Sequence, residues 1–148
     1  MAKIEDVAAY ICDKYPYKSE LSKARLTKLV YLSDWKSAQK RRKQLTDIRW
    51  YFHNFGPYVD DVINSVTNNP RFSVEDTLNA YGDKKTTISI KSPLASNILA
   101  PGEKRIVDDV IEETRGMYWD SFIRHVYATA PIARSERYSH LDLVKMAS

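Results

Sequence analysis

Cysteine, glycine and histidine are all scarce in this chain, and each scarcity removes a class of chemistry. Cys12 is the only cysteine, so no internal disulfide can form and a reducing compartment is expected. It falls beside the apolar stripe of a predicted first helix. The nearby Lys14 is two residues on and points elsewhere, so Cys12 reads as a small buried hydrophobe and not as a nucleophile. The four glycines, at 56, 82, 102 and 116, are isolated, which leaves neither a P-loop nor a dinucleotide fingerprint. His53, His125 and His140 stand at no metal-ligand spacing, so no metal and no cofactor is expected. There is no Gly-x-Ser-x-Gly elbow. Asp60-Asp61, Asp108-Asp109 and Glu112-Glu113 are carboxylate pairs, but adjacent residues on a helix diverge by about 100°, which suits solvated faces better than acid–base work. An enzyme is therefore not expected. No stretch approaches the roughly 20 apolar residues that cross a bilayer, and the first residues carry no apolar signal run, so the expectation is a cytoplasmic protein with no membrane partner.

What remains is the balance of a globular protein: 148 residues, 43% hydrophobic and 28% charged, with ten tyrosines and three tryptophans. That length suits one domain, 1–148, with its core over about 4–132 and a polar C-terminal tail, 133–148. The net charge of +4 is uneven: thirteen Lys/Arg oppose eight Asp/Glu in residues 1–74, and ten oppose eleven in 75–148. Much of the excess is Lys36, Lys40, Arg41, Arg42 and Lys43. Such a run is either a solvated helix end, where cations favour the dipole, or a basic patch for an acidic partner or nucleic acid.

Apolar residues at i, i+3, i+4 and i+7 mark the helices. Ile4, Val7, Ala8 and Ile11 predict one over 4–14, stopped at Pro16. Ser22 caps a second that runs to about Gln39, with an unusually wide apolar stripe through Leu26, Leu29, Val30 and Leu32. Ile48, Tyr51, Phe52 and Phe55 predict a third helix up to Gly56-Pro57. Val59, Val62, Ile63 and Val66 predict a fourth, with Pro57 at its start. Val107, Val110, Ile111 and Thr114, then Trp119, Phe122, Ile123 and Val126, predict the last two. Phe72 and Val74, and Ile88 and Ile90, alternate with polar residues. The expected fold class is thus mainly α: a compact domain of about six helices, with a small two- or three-stranded antiparallel element at 71–91 as its only sheet.

Aromatics crowd the Gly56-Pro57 corner. Trp50 is off the apolar stripe of the third predicted helix, and Tyr31 and Trp35 share a face of the second. Tyr31, Trp35, Trp50 and Tyr58 are therefore candidates for a partner-binding surface rimmed by Lys36–Lys43, since Tyr and Trp give large contact area at small entropic cost. A second buried face is the other reading of the same pattern.

The segment Leu26-Thr27-Lys28-Leu29-Val30-Tyr31-Leu32, followed by Trp50-Tyr51-Phe52-His53-Asn54-Phe55-Gly56-Pro57-Tyr58-Val59, resembles the Panacea domain, the antitoxin domain of SocA-like and phage-associated proteins. Lys28, Leu29 and Tyr31 together with Phe55, Gly56 and Pro57 carry the resemblance. Leu99-Ala100-Pro101-Gly102-Glu103 and the run from Trp119 into Pro131 extend it over roughly 4–132. Arg49, the glycine-free connection 40–44 and Val126-Tyr127 depart from the family pattern. The resemblance implies a mostly helical binding module that neutralises a cognate protein toxin encoded beside it, within a toxin–antitoxin or phage-defence system, without catalysis. Homo-oligomerisation is left open. The competing classes are a winged-helix-like nucleic-acid-binding regulator, suggested by helices followed by a hairpin in a basic context, and a small enzyme of unrecognised type.

Overall fold

The computed structural model describes residues 1–148. Its elements run α1 (Ile4–Lys14), a 3-10 turn (Lys18–Glu20), α2 (Lys23–Arg41), β1 (Phe52–His53), β2 (Gly56–Pro57), α3 (Asp61–Val66), β3 (Phe72–Leu78), β4 (Lys84–Ile90), α4 (Pro101–Thr114), α5 (Trp119–Tyr127), α6 (Ala130–Ala133) and α7 (Leu143–Ala147). The fold is mainly α with a small antiparallel element, as the periodicities predict. No helix is long and apolar enough to cross a membrane.

The axis of the molecule is α2. Ser22 caps it, its hydroxyl oxygen accepting from the Arg25 amide at 3.1 Å. Burial runs around the whole helix, from Leu26, Leu29 and Val30 to Tyr31, Asp34 and Ala38, because α1, α3, α4, α7 and β4 all pack on it. A helix buried on every side must satisfy its polar side chains internally. Thr27 and Ser33 do so by donating to carbonyls four residues back, at 2.9 and 2.8 Å. Ser37 donates to the Lys43 carbonyl at 2.7 Å and so closes the α2 C-terminus. One continuous cluster of 33 buried hydrophobic residues surrounds this helix, with Val7, Ile11, Leu29, Phe52, Val62, Val110, Phe122 and Val126 among them. Ile4 is half-buried against its edge.

The β3–β4 hairpin pairs Phe72 with Ile90 and Leu78 with Lys84. The Ile88 amide donates to the Leu21 carbonyl at 3.1 Å, which ties the hairpin to the entry of α2, and Ile88 itself is buried.

The structure corrects the expectations for the region around Gly56-Pro57. The third predicted helix does not form. The buried Asp34 carboxylate accepts from the amides of Leu45 and Thr46, at 2.9 and 3.0 Å, from the Thr46 hydroxyl at 2.6 Å and from the Trp50 indole at 2.9 Å. The Phe52 amide then donates to Ser139, and the Leu141 amide to Trp50. Segment 45–52 spends its backbone groups on these long-range partners, so no i→i−4 ladder is built, and a second small sheet, β1–β2, appears outside 71–91. Pro57 lies in β2, and the next helix starts at Asp61. Phe55, expected in the core, is 80% exposed at the tip of the β1–β2 turn. The polar C-terminal tail is anchored. Leu141 and Leu143 are buried, and α7 packs against α2, so the helices number seven.

Candidate protein-binding cleft

The expected aromatic surface resolves into two parts. Tyr31 and Trp50 are fully buried, their rings edge-to-face at 5.4 Å and 82°, and Trp35 is only 8% exposed. The Tyr31 hydroxyl lies 2.8 Å from the Thr129 hydroxyl, and the Trp50 indole is held by Asp34. Tyr31 and Trp35 form a second buried face of α2 and Trp50 packs against Tyr31, which is the other reading of the sequence pattern. The polar tips of Tyr31 and Trp50 thus have internal partners, which is what burial of a phenol or indole requires. Tyr58 differs: it is half-buried and lines an open cleft.

The basic run is not a rim of that cleft. Lys36 is ion-paired to Glu113 on α4. Lys40, Arg42 and Lys43 are exposed and Arg41 half-buried at the C-terminal end of α2, where Arg42 takes the left-handed cap conformation (φ 61°). At 1.5 Å per residue, Arg42 is about 20 Å along the helix from Lys28. Cations at that end favour the helix dipole.

The cleft lies at the opposite end of α2 and measures about 770 Å³, within the usual size range of ligand sites. Three pieces of chain build it. The first turns of α2 contribute Lys23, Ala24 and Lys28; the β1–β2 turn contributes His53, Asn54 and Phe55; α5 contributes Trp119, Ile123, Arg124 and Tyr127. Arg25 fixes α5 against α2: its guanidinium donates to the Tyr15 hydroxyl at 3.0 Å and the Met117 carbonyl at 3.2 Å, and it stacks 4.6 Å from the Phe122 ring and 5.6 Å from that of Trp119.

Gly56 lets the turn close over this floor. Its φ is +101°, a conformation that L side chains resist. A Cβ there would stand 3.2 Å from the Tyr127 ring and 3.8 Å from Lys28 Cε. Phe52 follows into the core, edge-to-face with Tyr127 at 6.1 Å. The turn therefore puts Phe55 outside, as a projecting apolar side chain, while Gly56 and Pro57 are buried. Of the motif residues, the structure brings Lys28, Phe55 and Gly56 together at the cleft, whereas Leu29 and Tyr31 face the core.

Lys28 is the chemical centre of the site. The residue is 3% exposed, its ammonium makes no hydrogen bond or ion pair, and burial draws its pKa down to about 8. The other charges on the cleft wall are Lys23 and Arg124; no carboxylate lines it. An apolar, aromatic-walled cleft over an unpaired ammonium is built for an anionic, partly apolar ligand. Cys12 is buried in the core, and burial pushes its thiol up to about 12, which suppresses the thiolate. No three His, Cys, Asp or Glu side chains are grouped to hold a metal.

Sequence reasoning missed the contribution of α5. Trp119 is 42% exposed although it belongs to the stripe that predicts its helix. The available signal was its place at the first position of α5, where the stripe begins and neighbours are fewest.

The family model described as the antitoxin SocA-like, Panacea domain matches residues 26–131, which include α2 from Leu26 onward and every residue lining the cleft but Lys23 and Ala24. No curated protein and no solved structure matches the chain.

Proposed function

Because this chain belongs to the SocA-like Panacea antitoxin family, we propose that it is a non-catalytic antitoxin that neutralises a cognate protein toxin by direct binding, and that the cleft between the start of α2, the β1–β2 turn and α5 is where it binds. The toxin is encoded beside it, in a toxin–antitoxin or phage-defence locus, and the pair meets in the cytoplasm. The observation that carries this placement is the pair of exposed aromatics, Phe55 at 80% and Trp119 at 42% exposure, standing over the buried cation Lys28. Large apolar side chains left in solvent on ordered elements are the residue types that anchor interfaces.

Truncating an aromatic anchor costs about 2 kcal/mol or more of binding, roughly a 30-fold loss of affinity. Phe55→Ala and Trp119→Ala should therefore weaken neutralisation while circular dichroism shows an unchanged fold. Coexpression with the product of the neighbouring reading frame, followed by co-purification, tests this. A folded double variant that retains wild-type binding would move the interface elsewhere.

A further inference from the structure

Resting on that reading of the cleft, we infer that Lys28 is its specificity anchor: the ammonium takes the carboxylate of an aspartate or glutamate side chain that stands next to an apolar residue on the partner protein. The Lys28 stem is buried while its ammonium meets solvent only through the cleft, where few polar groups surround it. Lys28 is buried, has no hydrogen bond or ion pair, and opens on a cleft with no acidic lining. No carboxylate of its own chain is paired with it, so the ammonium is free to meet an incoming anion. The surroundings favour an anion throughout. Lys23 and Arg124 flank the cleft, and the positive end of the α2 dipole borders it through Lys23 and Ala24.

The walls specify the rest of the ligand. Phe55, Trp119, Ile123 and Tyr127 would cover an apolar neighbour of the carboxylate. Their exclusion of water would strengthen the ion pair beyond that of a surface salt bridge. A side-chain carboxylate fits better than a chain terminus. Capture of a terminus uses clustered backbone N–H groups, and three of the donors along the turn are already engaged: Phe52 donates to Ser139, Asn54 to His53 Nδ1 and Tyr58 to Tyr51. A lysine, being a point charge on a flexible stem, can reach a single carboxylate oxygen from the floor without the planar fit an arginine needs.

The test needs no toxin. The full chain, labelled with nitrogen-15, is titrated with three peptides: N-acetyl-Phe-Glu-amide, N-acetyl-Phe-Gln-amide, and N-acetyl-Phe-Gln with a free carboxyl terminus. The first should shift the resonances of Gly56 and Trp119 and bind about tenfold more tightly than the second, the gain of one charge-assisted contact. The free-terminus peptide should bind more weakly than the first. In Lys28→Met, the preference for glutamate over glutamine should vanish; Lys28→Gln serves if the methionine variant does not fold. Equal affinity for the first two peptides, absence of binding by all three, preference for the free terminus, or a glutamate preference that survives in the variant would each overturn the assignment. Such a failure leaves the antitoxin reading standing, because that reading is tested by toxin neutralisation and not by peptide binding.

Discussion

Replacing Asp34 with alanine probes the contact that decides the path of the chain between α2 and the cleft. Asp34 is completely buried, and its carboxylate holds the Leu45 and Thr46 amides, the Thr46 hydroxyl and the Trp50 indole. The alanine variant leaves two amides and one indole N–H without an acceptor; at about 1–3 kcal/mol for each buried orphan, the gross loss is roughly 3–9 kcal/mol. Removing a buried charge returns part of this, because burial pushes the Asp34 carboxyl up to about 6 against the pull of its donors. A net loss of about 4 kcal/mol is expected, a large share of the roughly 5–15 kcal/mol that holds such a domain together. At roughly 2–4 °C per kcal/mol for a chain of this size, the melting temperature should fall by about 8–16 °C. Asp34→Asn keeps one oxygen for the two amides and orphans chiefly the indole, so its loss should be nearer 1–2 kcal/mol. The pH dependence has a definite sign. A carboxyl whose folded pKa is raised binds its proton more readily in the folded state, so the Asp34 contribution is greatest below about pH 4 and declines as pH rises toward about 6. Urea denaturation of the three proteins across that range measures all of this. An alanine variant as stable as the parent, or an asparagine variant as damaged as alanine, would refute the assignment of 45–50 to Asp34.

Three further outcomes follow from the same geometry. Phe55→Ala should change folding stability by no more than about 0.5 kcal/mol, the range for exposed sites, against the 3–5 kcal/mol expected of a core phenylalanine; chemical denaturation distinguishes these. Gly56→Ala should destabilise by about 1–2 kcal/mol, because alanine resists φ +101° and its Cβ would press on the Tyr127 ring, and a thermal melt should show it. Lys28 has a folded pKa lowered to about 8, so below that pH its burial as a cation weakens the fold, and stability should rise from about pH 8 to 10.5 as the proton is lost. Lys28→Met should lose this rise and match or exceed the parent at neutral pH in denaturant titrations.

The helices α1, α2, α4 and α5 and the β3–β4 hairpin were legible because each writes its own period into the chain. In α1 the stripe Val7, Ala8 and Ile11 is buried where the spacing puts it, and the alternating Phe72 and Ile90 pair across the hairpin. Segment 45–58 was not legible for the converse reason. Ile48, Tyr51, Phe52 and Phe55 fall at helical spacing, yet the partners that outcompete the helix lie at Asp34 and at Ser139–Leu141, and no local pattern announces them. The same long-range contacts buried Trp50 and turned Phe55 outward, which exchanged their expected places. Tyr31 and Trp35, candidates for a partner-binding surface, are buried instead, because the wide α2 stripe has neighbours on several sides. Of the site itself, only Lys28, Phe55, Gly56 and Tyr58 stood out, the first three through the family resemblance. That Lys28 has no counter-ion is a property of the three-dimensional neighbourhood and cannot be read along the chain.

The measurement that bears most directly on the antitoxin account is growth of a bacterial host expressing the neighbouring reading frame's product under an inducible promoter. Expressed alone, that product should arrest growth. The wild-type chain should restore it, and the folded Phe55→Ala/Trp119→Ala variant, at equal soluble concentration, should fail to do so. Restoration by this variant equal to that of the wild type would contradict the cleft as the neutralising surface, and no effect of the wild-type chain on an arrested culture would contradict the antitoxin function itself.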